Sequence, residues 1–464
     1  MNLPPISDFI ELVKATDEDA AHRLPLLYQA APILYDGAHA SDSERDLLAE
    51  KFERWRYQRL NRFGSRLSLN ERRLVTALDL AAITVLKSRS GPKAARTGIR
   101  APLVAESDFE AAFDPENLLR QITERAAAIT AEHFSSFKFD EATTPAERDG
   151  SSATESSRRM RLYAPLYLSN YCVNHCVYCG FRFPHQIDRV HLTAEQAMAE
   201  AEVLHAQGHR HLLIVAGDFP KLTSIEYLTT IVSELSVKGF DLSIEVAPQT
   251  TVAYKKLVRA GATGVTLYQE TYQEQLYYRL HPRGPKVWFD WRLEALERAA
   301  EAGMKRLGLG ILLGLADPRL DLRALIRHGQ YLRERYPEIR LAFSLPRIHE
   351  APEGFTPDYP IDDEKFIRMY CALRFAFPDA ELVLSTREQS QLRDRLARIC
   401  VTRMSAGSCT APGGYSGFGD APHLRQQFPI YDQRTTPEVA VALRHAGFEL
   451  LWNTSTSDKL SPTA

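Results

Sequence analysis

From about residue 160 to residue 410 the chain alternates short apolar runs with helical stretches, and this alternation limits its fold more than any other feature. Eight runs read as strands: RLYAPLYLS (161–169), HLLIVAG (211–217), LSIEVAP (242–248), GVTLYQE (264–270), LGLGILLG (307–314), LAFSLP (341–346), ELVLSTRE (381–388) and TRMSAGS (402–408). Between them lie stretches with apolar residues at helical spacing, such as TAEQAMAEAEVLHAQG and WRLEALERAAEAG. An eight-fold βα alternation predicts an α/β chain folded as a (β/α)8 TIM-type barrel. An open doubly wound sheet is the alternative. It fits less well, because no GxGxxG follows the first strand.

The rest of the chain frames the barrel. Residues 1–135 read as an N-terminal helical extension, with helical spacing in DLLAEKFERWRYQRLNRF and ERRLVTALDLAAITVLKS. Residues 136–159 read as a polar linker or insertion, because FDEATTPAERDGSSATESSR has no apolar period. Residues 411–464 read as a C-terminal helix and tail. The basic, aromatic stretch KFERWRYQRLNRFGSRLSLNERR has two readings, an amphipathic helix with arginine stems laid on apolar surface or a nucleic-acid or protein contact. A formal charge of −2 gives no reason to expect nucleic acid or a membrane surface. No apolar run approaches the ~20 residues that span a bilayer. The N-terminus, MNLPPISDFIELVKATDEDA, lacks a basic-then-apolar signal pattern, so the expectation is a cytoplasmic protein.

Barrels of this kind carry their chemistry at the C-terminal ends of the strands. That rule places one cysteine group after the first strand and Gly217 and Asp218 after the second. Gln269 and Glu270 end the fourth, and Gly314 follows the fifth. Arg347 follows the sixth, Thr386 and Arg387 the seventh, and Ser405, Ala406, Gly407 and Ser408 end the eighth.

Six cysteines are too few to staple a chain of 464 residues. Cys371, Cys400 and Cys409 are scattered, which suggests packing. Cys172, Cys176 and Cys179 fall in YCVNHCVYCGF, which suggests a metal or cluster site. Thiolates suit zinc, copper(I) or iron–sulfur clusters. Structural zinc wants four protein ligands, and His175, the conceivable fourth, adjoins Cys176 awkwardly. An iron–sulfur cube on three cysteines leaves one iron open for catalysis.

The spacing C-x-x-x-C-x-x-C, with Tyr178 before the last cysteine and Gly180 after it, resembles the radical S-adenosylmethionine (SAM) superfamily. The resemblance implies a [4Fe-4S] cluster on Cys172, Cys176 and Cys179, with SAM chelating the open iron and Tyr178 beside the adenine. Reductive cleavage of SAM then yields a 5′-deoxyadenosyl radical. VAGD resembles the segment whose backbone receives the SAM amino group. Here Ala216 replaces a glycine and Asp218 a glutamate around Gly217. GILLGLAD, with Gly310 and Gly314, resembles the segment lining the adenine. Gln269 and Glu270 would hydrogen-bond the SAM ribose or amino group, or support the barrel rim.

Further segments, APLYLSNYCVNHCVYCGFRF, LYQETY, HPRGPKVWFDWRLEALERAAEAG, SLPR, LSTRE and MSAGSCTAPGGY, resemble the aromatic amino-acid lyase group of that superfamily over roughly residues 120–452. The second half of the barrel resembles the biotin and thiamin synthesis-associated region. The group includes 2-iminoacetate synthase, a tyrosine lyase of thiamine biosynthesis. It also includes the tyrosine-cleaving iron-only hydrogenase maturase and a tryptophan lyase. The resemblance implies hydrogen abstraction from the substrate amine and Cα–Cβ cleavage, giving dehydroglycine and p-cresol from tyrosine. It also implies a reductant such as flavodoxin or ferredoxin and a thiazole synthase partner. The maturase carries extra C-terminal cysteines, whereas no cysteine follows Cys409 here, so the thiamine-type tyrosine lyase is the leading reading. A maturase-like tyrosine lyase without the auxiliary cluster and a tryptophan lyase are the alternatives. A non-catalytic cluster-binding scaffold is the other class, and intact ligands argue against it. Arg347 is the expected anchor for the substrate carboxylate, because Arg makes a two-pronged contact. Its alternative role is an internal ion pair. Ser408 and Thr386 would add hydrogen bonds, and Arg387 and Glu388 would either join them or pair with each other.

Replacing Cys172, Cys176 and Cys179 together by Ala is expected to abolish iron binding and 5′-deoxyadenosine formation. Iron and sulfide analysis after anaerobic reconstitution checks this, and unchanged iron content contradicts it.

Overall fold

The computed structural model describes residues 50–54, 56–58, 106–136, 157–351, 354–417 and 426–452. Its strands are β1 (Ser135–Ser136), β2 (Ser157–Ser169), β3 (His211–Ala216), β4 (Asp241–Glu245), β5 (Ala262–Thr266), β6 (Arg306–Gly310), β7 (Arg340–Ser344), β8 (Glu381–Leu384), β9 (Arg403–Ser405) and β10 (Phe448–Leu451). Its helices are α1 (Glu106–Phe113), α2 (Leu119–Phe134), α3 (Ala194–Ala206), α4 (Ile225–Val237), α5 (Thr251–Ala260), α6 (Glu274–Leu280), α7 (Phe289–Leu293), α8 (Ala295–Glu301), α9 (Pro318–Arg335), α10 (Asp363–Ala376), α11 (Ser390–Ile399) and α12 (Thr436–His445).

Strands β2 to β9 pair in chain order, every pair parallel, and β2 pairs with β9. The sheet is therefore a closed eight-stranded parallel barrel, the (β/α)8 fold the alternation predicts. Side chains alternate between its two faces. Leu162, Ala164, Leu166, Leu212, Ile214 and Ile244 point outward and are fully buried in the main apolar core, which the helices share. Helix starts are fixed by side-chain caps. Thr193 and Thr435 each form a reciprocal capping box, with Gln196 and Glu438.

The inward face is layered. The floor is charged: Arg403 Nη1 lies 2.7 Å from Glu381 Oε2, Arg306 Nε 3.3 Å from the same oxygen, and Arg403 Nη2 donates to His211 Nε2 at 2.7 Å. Above it, Tyr163, Ser243, Thr266 and Gly308 border a void of about 30 Å³. Above that, the strand ends open into a larger cavity.

One feature departs from expectation, and two others match one of the readings offered. Strand β2 begins at Ser157, inside the stretch read as polar linker, and its first residues project beyond the barrel floor. There Arg158–Arg161 pair in parallel with Phe448–Leu451 of β10, where only a helix and tail were expected. The polar letters there conceal a strand because its partners are a terminal strand and a stacked ring, with Arg158 5.4 Å from the Phe448 centroid. Second, part of the basic stretch (50–54 and 56–58) is helical and lies on the barrel, with Arg56 Nη1 2.8 Å from Glu294 and Arg56 Cζ 5.1 Å from the Trp291 ring centroid. That is the amphipathic reading for these residues. Third, of the three scattered cysteines, Cys371 and Cys400 are fully buried, as packing residues would be, and Cys409 is partly buried. The helical reading of ERRLVTALDLAAITVLKS, the polar segment 137–156 and the tail after 452 lie outside the described residues. Among the described residues no helix is long and apolar enough to cross a membrane.

Candidate active site

The loop after β2 carries the three cysteines and is stitched to its surroundings by backbone bonds. Gly217 N donates to Ser169 O (2.8 Å), Val173 N to Asp218 O (2.8 Å), His175 N to Arg283 O (3.1 Å) and Val177 N to Leu280 O (3.1 Å). Arg189 closes the loop from below: its guanidinium donates to the carbonyls of Asn170 (2.5 Å), Phe181 (2.9 Å), Arg182 (3.0 Å) and His185 (2.9 Å). Gly217 is required for this packing, because a Cβ there would sit 2.3 Å from Tyr171 O. Gly180 is equally confined by Gln427 O at 2.5 Å.

Burial, then Asp218 and Cys179, pushes the Cys172 thiol up to about 12, and burial raises Cys176 as well. Those two thiols are thus held neutral until a cation replaces the protons. Among the described residues no three His, Cys, Asp or Glu side chains converge as ligands of a single ion. His175 turns its ring edge-on to Phe183 (5.3 Å). The donor set fits a cluster, in which each thiolate takes its own iron, and Cys179 opens on the large cavity.

That cavity has a volume of about 360 Å³ and sits at the C-terminal ends of the strands. Of the residues singled out in the sequence, Tyr178, Glu270, Thr386 and Ser408 line it beside Cys179. The Tyr178 hydroxyl is fixed at 2.7 Å from His281 Nε2, whose other nitrogen lies 2.7 Å from Tyr277 O. Burial holds His281 neutral, so its Nδ1–H donates to that carbonyl and Nε2 accepts from Tyr178. Glu270 takes a left-handed backbone (φ 71°) and lies 2.6 Å from Lys286 Nζ and 3.3 Å from Arg292 Nη2. Burial alone would raise its carboxyl. The two cations outweigh burial and hold it below the usual range.

Asp218 lies off the cavity, where Asn174 Nδ2 donates to its Oδ2 at 2.8 Å. Burial raises its carboxyl. Ala216 ends β3, and Gly217 serves the cysteine loop as described. Gly310 is covered by the Tyr268 ring, since a Cβ there would meet Cδ1 at 2.4 Å. Gly314 turns at φ 112° against Pro357 and Ile348.

The expected carboxylate anchor is committed elsewhere. Arg347 is buried, with Nε 3.1 and 3.2 Å from the Glu388 carboxylate, Nη2 bonded to Glu388 and 2.9 Å from Asp363, and Nη1 2.9 Å from Ile361 O. His349 Nε2 also sits 3.2 Å from Glu388. Arg347 therefore takes the internal ion pair, and Glu388 pairs with it rather than with Arg387. Arg387 is left on the cavity wall. Among the described residues its guanidinium makes one hydrogen bond, to Arg347 O at 3.2 Å, and stacks 3.6 Å from the Phe428 centroid. It has no carboxylate partner there, and its Nε is buried without an acceptor. The Ser408 hydroxyl, on the same wall, is likewise buried without a partner. Sequence reasoning missed Arg189, His281, Lys286 and Arg292 as supports, and it also missed Glu245, which ends β4 on the cavity wall.

A cysteine loop thus sits beside a cavity at the barrel mouth whose wall carries a guanidinium without a carboxylate hydrogen-bond partner among the described residues. Residues 166–329 match the Radical SAM superfamily and residues 344–449 the Biotin and Thiamin Synthesis associated domain. The 2-iminoacetate synthase of Escherichia coli (strain K12) is 33% identical over 357 residues, 76% of this chain and 88% of that protein. The 2-iminoacetate synthase of Salmonella typhimurium is 36% identical over 291 residues, 62% of this chain and 76% of that protein. The crystal structure of the FeFe-hydrogenase maturase HydG from Carboxydothermus hydrogenoformans superposes with a TM-score of 0.63 at 29% identity, covering 97% of this chain and 85% of that one. The chain belongs to the radical SAM superfamily, in the family of the 2-iminoacetate synthases.

Gly217→Ala is expected to displace the cysteine loop and to cut iron loading several-fold, while leaving the barrel's far-UV circular dichroism unchanged. Full loading with normal SAM cleavage contradicts the packing argument.

Proposed function

We propose that this chain is a radical SAM carbon–carbon lyase that cleaves the Cα–Cβ bond of tyrosine to dehydroglycine (2-iminoacetate) and p-cresol, for thiamine thiazole biosynthesis. The observation that carries the substrate reading is the unneutralised Arg387 guanidinium, which shares a cavity wall with the unpartnered Ser408 hydroxyl. A buried charge without a partner is costly, and an amino-acid carboxylate supplies the missing partner in a planar, two-pronged contact.

Cys172, Cys176 and Cys179 would hold the [4Fe-4S] cluster, and Tyr178, Glu270 and the backbone at 216–218 would hold SAM. When bound, these groups supply a radical that removes a hydrogen atom from the substrate amine. The protein's own residues fix geometry. His281 locks Tyr178, and Lys286 and Arg292 keep Glu270 ionised as an acceptor. Arg387 and Ser408 tether the carboxylate so that the amine faces the cysteine side of the cavity. Tyr167, Leu213, Val215 and Phe428 supply an apolar and aromatic wall for the ring and exclude water. The remaining partners follow from the chemistry. A one-electron donor of the flavodoxin or ferredoxin class feeds the cluster, and a thiazole synthase consumes the unstable imine.

Arg387→Lys keeps the charge and loses the fork. A charged hydrogen bond contributes about 1.5–3 kcal/mol, so the tyrosine KM is expected to rise roughly ten- to a hundred-fold at 1.4 kcal/mol per decade. Slow SAM cleavage without tyrosine is expected to persist. Arg347→Lys is expected to lower the melting temperature and to leave the tyrosine KM within a few-fold. An unchanged KM in Arg387→Lys, or a large KM increase confined to Arg347→Lys, contradicts the assignment.

A further inference from the structure

We propose that Glu245 receives the phenolic hydroxyl of the substrate and accepts its proton as the Cα–Cβ bond breaks. The inference rests on the tyrosine reading above and adds the group that recognises the side chain.

Position is the first argument. Glu245 ends β4, the third strand of the barrel, and Arg387 follows β8, the seventh. In a closed eight-stranded barrel the third and seventh strands face each other across the axis. Both residues line the same cavity. An amino acid tethered at Arg387 by its carboxylate and extending across the mouth points its side chain at Glu245. The cysteine loop follows the first strand, between these two in circular order, and faces the middle of that span.

Availability is the second argument. The other carboxylates of this cavity are committed: Glu270 to Lys286 and Arg292, and Glu350 to the Tyr431 hydroxyl at 2.7 Å. The Glu245 side chain has no hydrogen bond or ion pair among the described residues, and its backbone pairs with Val215. The groups around it are Glu270 after β5, Lys286 before α7, Arg292 on α7, Arg387 after β8, and the phenols Tyr163 and Tyr167 on β2 and Tyr268 after β5. Burial raises all three phenols, so each keeps its own proton and none competes as a base.

Titration supports the geometry. Burial, with Glu270 adding to it, pushes the Glu245 carboxyl up to about 7. A general base is most effective with a pKa near the working pH. Ionised, Glu245 takes the proton. Protonated, below that value, it does not.

The step moves one proton. The phenol O–H bond breaks, its electron pair stays on oxygen, and Glu245 becomes a carboxylic acid. The fragment that leaves Cα is then a 4-oxidobenzyl radical. It becomes p-cresol by taking one electron from the one-electron donor and two protons, one of them returned by Glu245. A site built to bind a hydroxyl also discriminates strongly against a substrate that lacks one, so phenylalanine is excluded by the same contact.

The test compares wild type and Glu245→Gln with tyrosine and with 2,3,5,6-tetrafluorotyrosine, whose acidic phenol is already ionised at neutral pH. For tyrosine, Glu245→Gln is expected to lower the rate of p-cresol formation about a hundred-fold or more, and to remove the acid limb near pH 7 from the wild-type kcat profile. With the fluorinated substrate the two proteins are expected to turn over at comparable rates. Equal rates with tyrosine, or an equal deficit with both substrates, overturns the role of Glu245. If wild type cleaves tryptophan and not tyrosine, the tyrosine reading itself falls. The wild-type arm alone shows that.

Discussion

The pairing of β2 with β9 is the contact on which the rest of the structure depends. Arg161, Leu162 and Tyr163 sit opposite Arg403, Met404 and Ser405. This register closes the sheet and brings the chain's first and last barrel strands side by side. Closure places the cysteine loop, which follows the first strand, next to Ser408, which follows the last. It also converts the inward faces into a lined interior with a floor, a narrow waist and an open top. Without closure the cluster loop and the carboxylate wall would lie at opposite edges of an open sheet.

The interior then sorts its charges by depth. At the floor, arginines from several strands gather on Glu381, and Arg306 also reaches Asp241, so charges there are paired within the protein. At the top, Glu388 neutralises Arg347 and Lys286 neutralises Glu270. Arg387 and Glu245 are the exceptions, one cation and one carboxyl across the barrel mouth without protein partners among the described residues. Under the proposed function these two groups take the two ends of the substrate, an anion at one and an acidic hydroxyl at the other. Tyrosine has that form.

Much of this was legible in the letters, and the limits have physical reasons. The eight barrel strands announced themselves because each buries an apolar face under a helix, and the cysteines because thiols so closely spaced have few other uses. The start of β2 and the whole of β10 were not legible. They pair beyond the floor, where Arg158 and Arg159 are tolerated and no apolar period is needed. Arg347 and Arg387 were both visible as candidates at strand ends. A linear sequence does not say which of them Glu388 will reach, and the fold gives Glu388 to Arg347. Glu245 was hidden in a run read only as a strand, since its importance comes from what stands opposite it. Arg189 carries no signal in the sequence. Only the loop's curvature shows that it gathers four carbonyls under the cysteines.

In the proposed function one cavity holds both the radical source and a tethered tyrosine. The most direct test is anaerobic incubation of the cluster-loaded protein with SAM, dithionite and tyrosine, with products read by mass spectrometry. The account predicts p-cresol and glyoxylate, the hydrolysis product of dehydroglycine, forming together and in step with 5′-deoxyadenosine. Formation of 5′-deoxyadenosine without p-cresol, from protein carrying its full complement of iron, would contradict it.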